Sequence, residues 1–178
     1  MELLVARIAS SLLVAVLGWA ALAKVADGSA WRAALEGYGL GRGIRTAAFV
    51  GVPLAEASIV VVMLAFSTRA AAALTIALLA SFSLAVLRAR EIKGDRLPCG
   101  CFGKATDRDY RLMLLRNGGL GVLASIVLLS GPEEGLLAEA SMPDGGEVAP
   151  AVLALVGVLI AWWTVKQTTS AWRNKEPR

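Results

Sequence analysis

Long uncharged runs alternate with short charged links along this chain. Residues 3–23 are apolar apart from Arg7, and 47–66 carries a single acid, Glu56. Runs at 70–87 and 112–129 follow, and 148–165 is shorter but also uncharged. A helix crosses a bilayer with about 20 apolar residues, within a range of roughly 17–25. The pattern therefore predicts four spanning helices and a shorter fifth. The first run starts at the beginning of the sequence, as a secretory signal would. No basic stretch precedes it, and it is longer than a signal's apolar segment, so it is expected to remain as a spanning helix.

The links differ in kind. Ser67-Thr68-Arg69 is short, which predicts a tight antiparallel pairing of the second and third helices. Residues 24–46 place Trp31 and Tyr38 among glycines and charges, as in a segment lying at the membrane interface. Residues 88–111 are densely charged and hold both cysteines of the chain, Cys99 and Cys101. Residues 130–147 contain Glu133, Glu134, Glu139, Asp144 and Glu147, and neither Lys nor Arg. No internal repeat is present. The fold class expected is an all-α integral membrane helical bundle, with four core transmembrane helices plus a C-terminal fifth. Its divisions are a four-helix membrane domain over 3–130 with the cysteine loop at 88–111, an acidic loop over 131–147, and a fifth helix with a basic tail over 148–178.

Composition agrees with a membrane protein. Of 178 residues, 57% are hydrophobic and the mean hydropathy is +0.65, above the roughly 45–50% apolar content of ordinary globular domains. There is no histidine, which excludes Ser-His triads and His-ligated zinc or haem. The net charge of +4 says less than where the charge sits. With five spans, every basic residue except Arg7 and Arg69 falls on one side, the side of the cysteine loop. Basic residues collect on the cytoplasmic face, so the expectation is an inner-membrane, multi-pass protein with a cytoplasmic cysteine loop and an outward acidic loop. The same topology accounts for the basic loops without nucleic acid.

The stretch RLPCGCFGKATD, residues 96–107, holds the two cysteines on either side of Gly100. A disulfide needs Cα atoms about 4.4–6.8 Å apart, which residues i and i+2 reach only where the chain bends, and glycine permits that bend. A bridge so tight is strained and labile. Arg96 and Lys104 favour thiolate, the reactive form. The types and spacing suit thiol–disulfide exchange with Cys99 and Cys101 as the exchanging pair. Two other readings stand beside it. A soft ion such as Cu(I) accepts two thiolates, whereas zinc would require four ligands. The third reading is a pair that merely packs.

Charges inside apolar runs are costly, on the order of 2.5–3.5 kcal/mol at the bilayer centre. Glu56 lies near the middle of the second run, and Lys24 at the inner end of the first can extend its amine along the helix. A Lys24–Glu56 contact is expected, or else a protonated Glu56; the alternative is a Glu56 that bonds only to a serine such as Ser58 or Ser83. Arg7 is expected to reach the outer surface. Arg116 and Asn117 open the fourth run beside the cysteine loop, as anchors or as groups that hold a thiolate or an anion. Trp162, Trp163 and Trp172 flank the fifth run as an interfacial belt.

The sequence Cys99-Gly-Cys101-Phe-Gly103, set between the third and fourth runs, resembles the methylamine utilisation protein MauE family, related to the DoxX-like four-helix membrane proteins. Lys24 at the close of the first run, Pro53-x-x-Glu56 in the second and Arg116-Asn117 in the fourth are similar to features of that family, with Ala21 where it tends to carry glycine. The resemblance covers roughly residues 5–130. It implies an accessory role in maturation of a redox enzyme of methylamine metabolism, and a thioredoxin-like protein or the maturing enzyme as partner. Lys24, Glu56, Arg116 and Asn117 would then be supporting polar groups. The enzyme served is extracytoplasmic, in tension with a cytoplasmic loop, and a lone dithiol cannot carry electrons across the bilayer without a quinone or a second protein. No cofactor follows from the residues themselves. Two further classes stay open: a transporter or binder of a soft metal ion or small solute through the thiolates, and a structural subunit of a larger membrane complex.

Overall fold

The computed structural model describes residues 2–99 and 106–140, with 98–99, 106–108 and 139–140 as backbone alone. Four helices long and apolar enough to cross a membrane dominate it: α1 (Glu2–Ala26), α3 (Arg42–Ala65), α4 (Thr68–Lys93) and α5 (Tyr110–Ser130). A short α2 (Gly28–Gly37) joins α1 to α3, strands β1 (Arg96–Cys99) and β2 (Thr106–Asp109) join α4 to α5, and α6 (Leu136–Ala140) follows α5. The helices of 21 to 26 residues are about 32–39 Å long at 1.5 Å per residue, enough for a hydrocarbon core of about 30 Å. All four extend beyond the apolar runs. Their ends carry residues such as Arg42, Arg90 and Arg111, which keep helical backbone while their charges stay in water. An apolar run marks the membrane, not the helix end.

The spans pack in a closed ring, α1 on α3, α3 on α4, α4 on α5 and α5 on α1. The central core joins Ala9, Leu13 and Leu17 of α1 to Ile59 and Met63 of α3, Ala71 and Ala72 of α4, and Ala124 and Val127 of α5. Alanines at these crossings let backbones approach closely, which in lipid is a main source of helix association. The outward faces stay apolar, with Leu84, Leu115, Val122 and Leu129 exposed, as a hydrocarbon solvent requires. The α3–α4 turn is as tight as expected: Phe66 caps α3, and the Ser67 side chain accepts from Ala70 N to start α4.

The two ends of the bundle differ. At one end, the link after α5 is pinned to the α3–α4 turn. Arg69 Nε donates to Gly131 O at 2.7 Å and its Nη1 pairs with Glu133 Oε1 at 3.1 Å, while Thr68 Oγ1 donates to Pro132 O. Leu136 of α6 then enters the central core. The other end carries the C-terminus of α1, α2 and the β1–β2 hairpin.

Three expectations need comment. The hairpin departs from an all-α fold, because 96–99 and 106–109 pair as strands instead of lying as loop. Part of the acidic stretch is helical, as α6, because Leu136 has a buried seat that helps hold it. The fifth helix expected over 148–165, its basic tail and Trp162, Trp163 and Trp172 lie outside the described residues.

Candidate functional site

The cysteine stretch is built on an antiparallel hairpin. Arg96 pairs with Asp109, Leu97 with Arg108, Pro98 with Asp107 and Cys99 with Thr106. Cys99 thus occupies the last paired position of β1, and the link from 100 to 105 carries Cys101. Cys101 and the Cys99 side chain lie outside the described residues. What is described is how firmly the base of the hairpin is seated. Leu97 is fully buried among Val86 and Ala89 of α4 and Tyr110 and Met113 of α5, with Tyr38 and Leu114 packed against them. Arg90 Nε bonds Asp95 Oδ1 at 3.0 Å, and the Arg90 guanidinium lies 4.2 Å from the Tyr110 ring centroid. Tyr110 N donates to Asp95 O at 3.0 Å, and the Asp109 carboxylate caps α5 by accepting from Arg111 N. The strand ends, the α4 terminus and the α5 start are therefore one unit.

Deeper in the bundle, Lys24 of α1 and Glu56 of α3 form a buried ion pair. Lys24 Nζ lies 2.7 Å from Glu56 Oε1 and 2.8 Å from Oε2, and also donates to Ala20 O at 3.2 Å. Both side chains are at most 2% exposed. Glu56 is about 14 Å along α3 from Ala65, counted at 1.5 Å per residue, which is mid-bilayer depth. The contact expected from the sequence is present, and Ser83 is engaged elsewhere, with Asn117 and with Leu79 O. Lys24 has three donors to place; two paired oxygens and a carbonyl leave the cation compensated, as a charge out of water requires.

Trp31 closes this pair from the α2 side. The Lys24 ammonium sits 5.4 Å from the Trp31 ring centroid, within cation–π range. Trp31 Nε1 donates to Phe49 O at 3.1 Å. That carbonyl is available for a definite reason. In a helix Phe49 O would accept from the N–H of residue 53, but residue 53 is proline and has none. Pro53 lies inside α3, so Trp31 takes the acceptor that Pro53 leaves. Pro53-x-x-Glu56 is thereby one structural unit: the proline frees a carbonyl for Trp31, and the glutamate receives the lysine that Trp31 covers.

Arg116 and Asn117 sit nearly two turns into α5, because that helix begins at Tyr110 and not at residue 116. Asn117 is buried and donates through Nδ2 to Ser83 Oγ at 3.3 Å, and Arg116 Nη2 donates to Asn117 Oδ1 at 3.3 Å. This polar bridge ties α5 to α4, whereas Lys24–Glu56 ties α1 to α3. The residues singled out in the sequence thus fall into two interior polar groups and one hairpin. Trp31 escaped sequence reading, since a tryptophan near a membrane boundary is ordinarily an interfacial anchor. A proline inside an apolar run was the available signal, because it announces an unpaired carbonyl four residues back.

Residues 2–130 match the family of the methylamine utilisation protein MauE, and the chain belongs to that family. No curated protein and no solved structure matches it. With four membrane-length apolar helices in this family domain, it is a multi-pass membrane protein.

Proposed function

From membership of the MauE family, we propose that this protein serves thiol–disulfide exchange at the membrane face, in the maturation of a partner redox enzyme of methylamine utilisation. Cys99 and Cys101 are the exchanging pair. The observation that carries the reading is the hairpin: its base is buried and locked to α4 and α5, and Cys-Gly-Cys begins where strand pairing ends. A seated base directly before the cysteine pair in the chain is what docking of a second protein's disulfide calls for.

The chemistry balances between two proteins. One thiolate of the pair attacks a disulfide of a thioredoxin-like partner, forms a mixed disulfide and releases one partner thiolate. The second thiolate of the pair attacks the mixed disulfide, closes Cys99–Cys101 and releases the other. Two electrons pass from the pair to the partner, and the reverse sequence installs a disulfide in a client. Arg96 in β1 favours the thiolate form that initiates exchange. Lys24, Glu56, Arg116 and Asn117 support the bundle on which the hairpin sits. The reading includes an inner-membrane location with the hairpin on the cytoplasmic side, by the excess of basic residues at that end; the pair then exchanges with a thioredoxin-like partner on that side, and a quinone or a second protein links it to the extracytoplasmic enzyme. It also includes a fifth span over 148–165 that returns the basic tail to the hairpin's side.

The test is thiol trapping on the purified full chain. Mass shifts on alkylation are expected to show a Cys99–Cys101 disulfide that dithiothreitol opens and a small disulfide oxidant recloses. Cys99→Ser is expected to trap a mixed disulfide through Cys101 or abolish exchange. A pair that stays reduced under oxidant and carries stoichiometric metal, lost in Cys99→Ser, would replace this reading with soft-metal binding.

A further inference from the structure

Resting on that reading, we propose that Trp31 is a positioning residue for the cysteine hairpin: by bonding the carbonyl that Pro53 frees, it fixes α2, and α2 in turn braces the hairpin base. The Trp31 indole is 6% exposed and is held at both faces of its job, its Nε1 on Phe49 O at 3.1 Å and its ring beside the Lys24 ammonium at 5.4 Å. Ala34 and Leu35 of α2 are buried with it, against Ala48, Phe49 and Val52 of α3 and Leu40. Tyr38 caps the far end of α2, with its backbone N–H donating to Leu35 O and Glu36 O. Trp31 and Tyr38 are about 10 Å apart along the helix at 1.5 Å per residue.

Tyr38 is where α2 meets the hairpin. It packs on the cluster of Leu97, Val86, Ala89, Tyr110 and Met113, and β1 as a whole lies against α2 as well as α4. Gly39 turns the chain away immediately afterwards, with φ of +66°, and a Cβ there would lie 3.8 Å from Ile92 Cδ1 near the end of α4. The positive φ favours glycine here. So α2 is a strut. One end is latched to α3 by Trp31 at the carbonyl whose usual helical donor is missing at Pro53. The other end packs through Tyr38 on the cluster that contains Leu97, two residues before Cys99. Holding the hairpin base in one place is expected to raise the effective concentration of one thiol at the other, and so to favour the closed disulfide.

Hydrogen–deuterium exchange on the full chain in lipid nanodiscs tests this, with two variants. Trp31→Phe keeps a ring and removes the N–H; one lost buried hydrogen bond corresponds to about fivefold to tenfold in an opening equilibrium. The expected result is faster exchange by that factor at the hairpin backbone, 96–99 and 106–109, with 131–140 unchanged. Pro53→Ala gives Phe49 O a competing donor inside α3. There, α3 is expected to exchange more slowly while the hairpin exchanges faster, a split that a merely structural role for Trp31 would not produce. In both variants the Cys99–Cys101 equilibrium against dithiothreitol is expected to move about threefold toward the dithiol, because a freer hairpin lowers the effective concentration of one thiol at the other. Wild-type hairpin exchange in Trp31→Phe, or slower exchange of both α3 and hairpin in Pro53→Ala, overturns the proposal. Should the cysteines form no disulfide in any variant, thiol exchange fails while the backbone measurement still decides the role of Trp31.

Discussion

A lysine and a glutamate buried in the apolar interior are the most expensive residues in the bundle, and their geometry shows how the cost is met. Lys24 Nζ is 2.7 and 2.8 Å from the two Glu56 oxygens, and at 1% and 2% exposure neither group keeps water. Removing one partner leaves the other charge buried and uncompensated, which in proteins costs about 3–5 kcal/mol. Replacing both with apolar residues of similar volume removes the problem together with the attraction, and is often close to neutral. Glu56→Ala is therefore expected to lower stability by about 3–5 kcal/mol, and Lys24→Met with Glu56→Leu by much less. Denaturant titration in a fixed detergent, followed by tryptophan fluorescence, measures both. Equal losses in the single and double variants would mean that the pair's attraction, and not burial of an orphan charge, sets its worth. The pair itself was readable in the sequence, because charges interrupting apolar runs of membrane length have few places to go. The Trp31 bond was not, since a backbone carbonyl leaves no letter in the sequence and only the missing N–H of Pro53 hints at it.

Among the elements, α6 is the one whose existence depends most on a single contact. It has five residues, too few to be stable as a helix alone. Leu136 is 3% exposed in the central core, and the chain reaches that seat only by passing close to the α3 terminus at Gly135. A Cβ at Gly135 would fall 2.6 Å from Leu64 O and 2.7 Å from both Ala65 C and Phe66 N, all backbone atoms that cannot swing aside. Gly135→Ala is expected to displace the link, with a loss of about 1–3 kcal/mol as for other overpacked sites and increased proteolytic cutting over 131–140. Gly118→Ala, with open space at its Cβ position, is the control and is expected to be tolerated. The same contrast explains what the sequence disclosed about elements. Four spans were legible because 20 apolar residues in a row have one common outcome. The hairpin and α6 were not, because the buried leucine that helps seat each, Leu97 or Leu136, lies within a charged stretch. Helix α2 was visible only as an interfacial segment: its buried face of Trp31, Ala34 and Leu35 is too short to stand out by periodicity.

At the scale of the whole molecule the two ends of the bundle carry opposite chemistry, and that asymmetry bears on orientation. At the hairpin end stand Arg32, Arg42, Arg45, Arg88, Arg90, Lys93, Arg96 and Arg111; toward the other end the described basic residues are Arg7 and Arg69, and Arg69 is paired with Glu133 at 3.1 Å. Basic residues near span ends are retained on the cytoplasmic side, so the hairpin is expected there. The chain supplies its own reporters, since Cys99 and Cys101 are its only cysteines. An impermeant maleimide applied after reduction is expected to label inside-out vesicles and leave right-side-out vesicles unlabelled, with Cys99→Ser/Cys101→Ser as the blank. Labelling of right-side-out vesicles alone would put the pair on the outer face and reverse the orientation proposed here. The same double-serine background decides the fifth span. Helix α5 ends at the face opposite the hairpin, so a reporter introduced as Ser170→Cys is labelled from the hairpin's side only if one further crossing lies between them. Labelling of Ser170→Cys from the α6 side instead would leave four spans. It would also place the tail's Arg173, Lys175 and Arg178 opposite the other basic residues, removing much of the charge asymmetry from which the orientation was inferred.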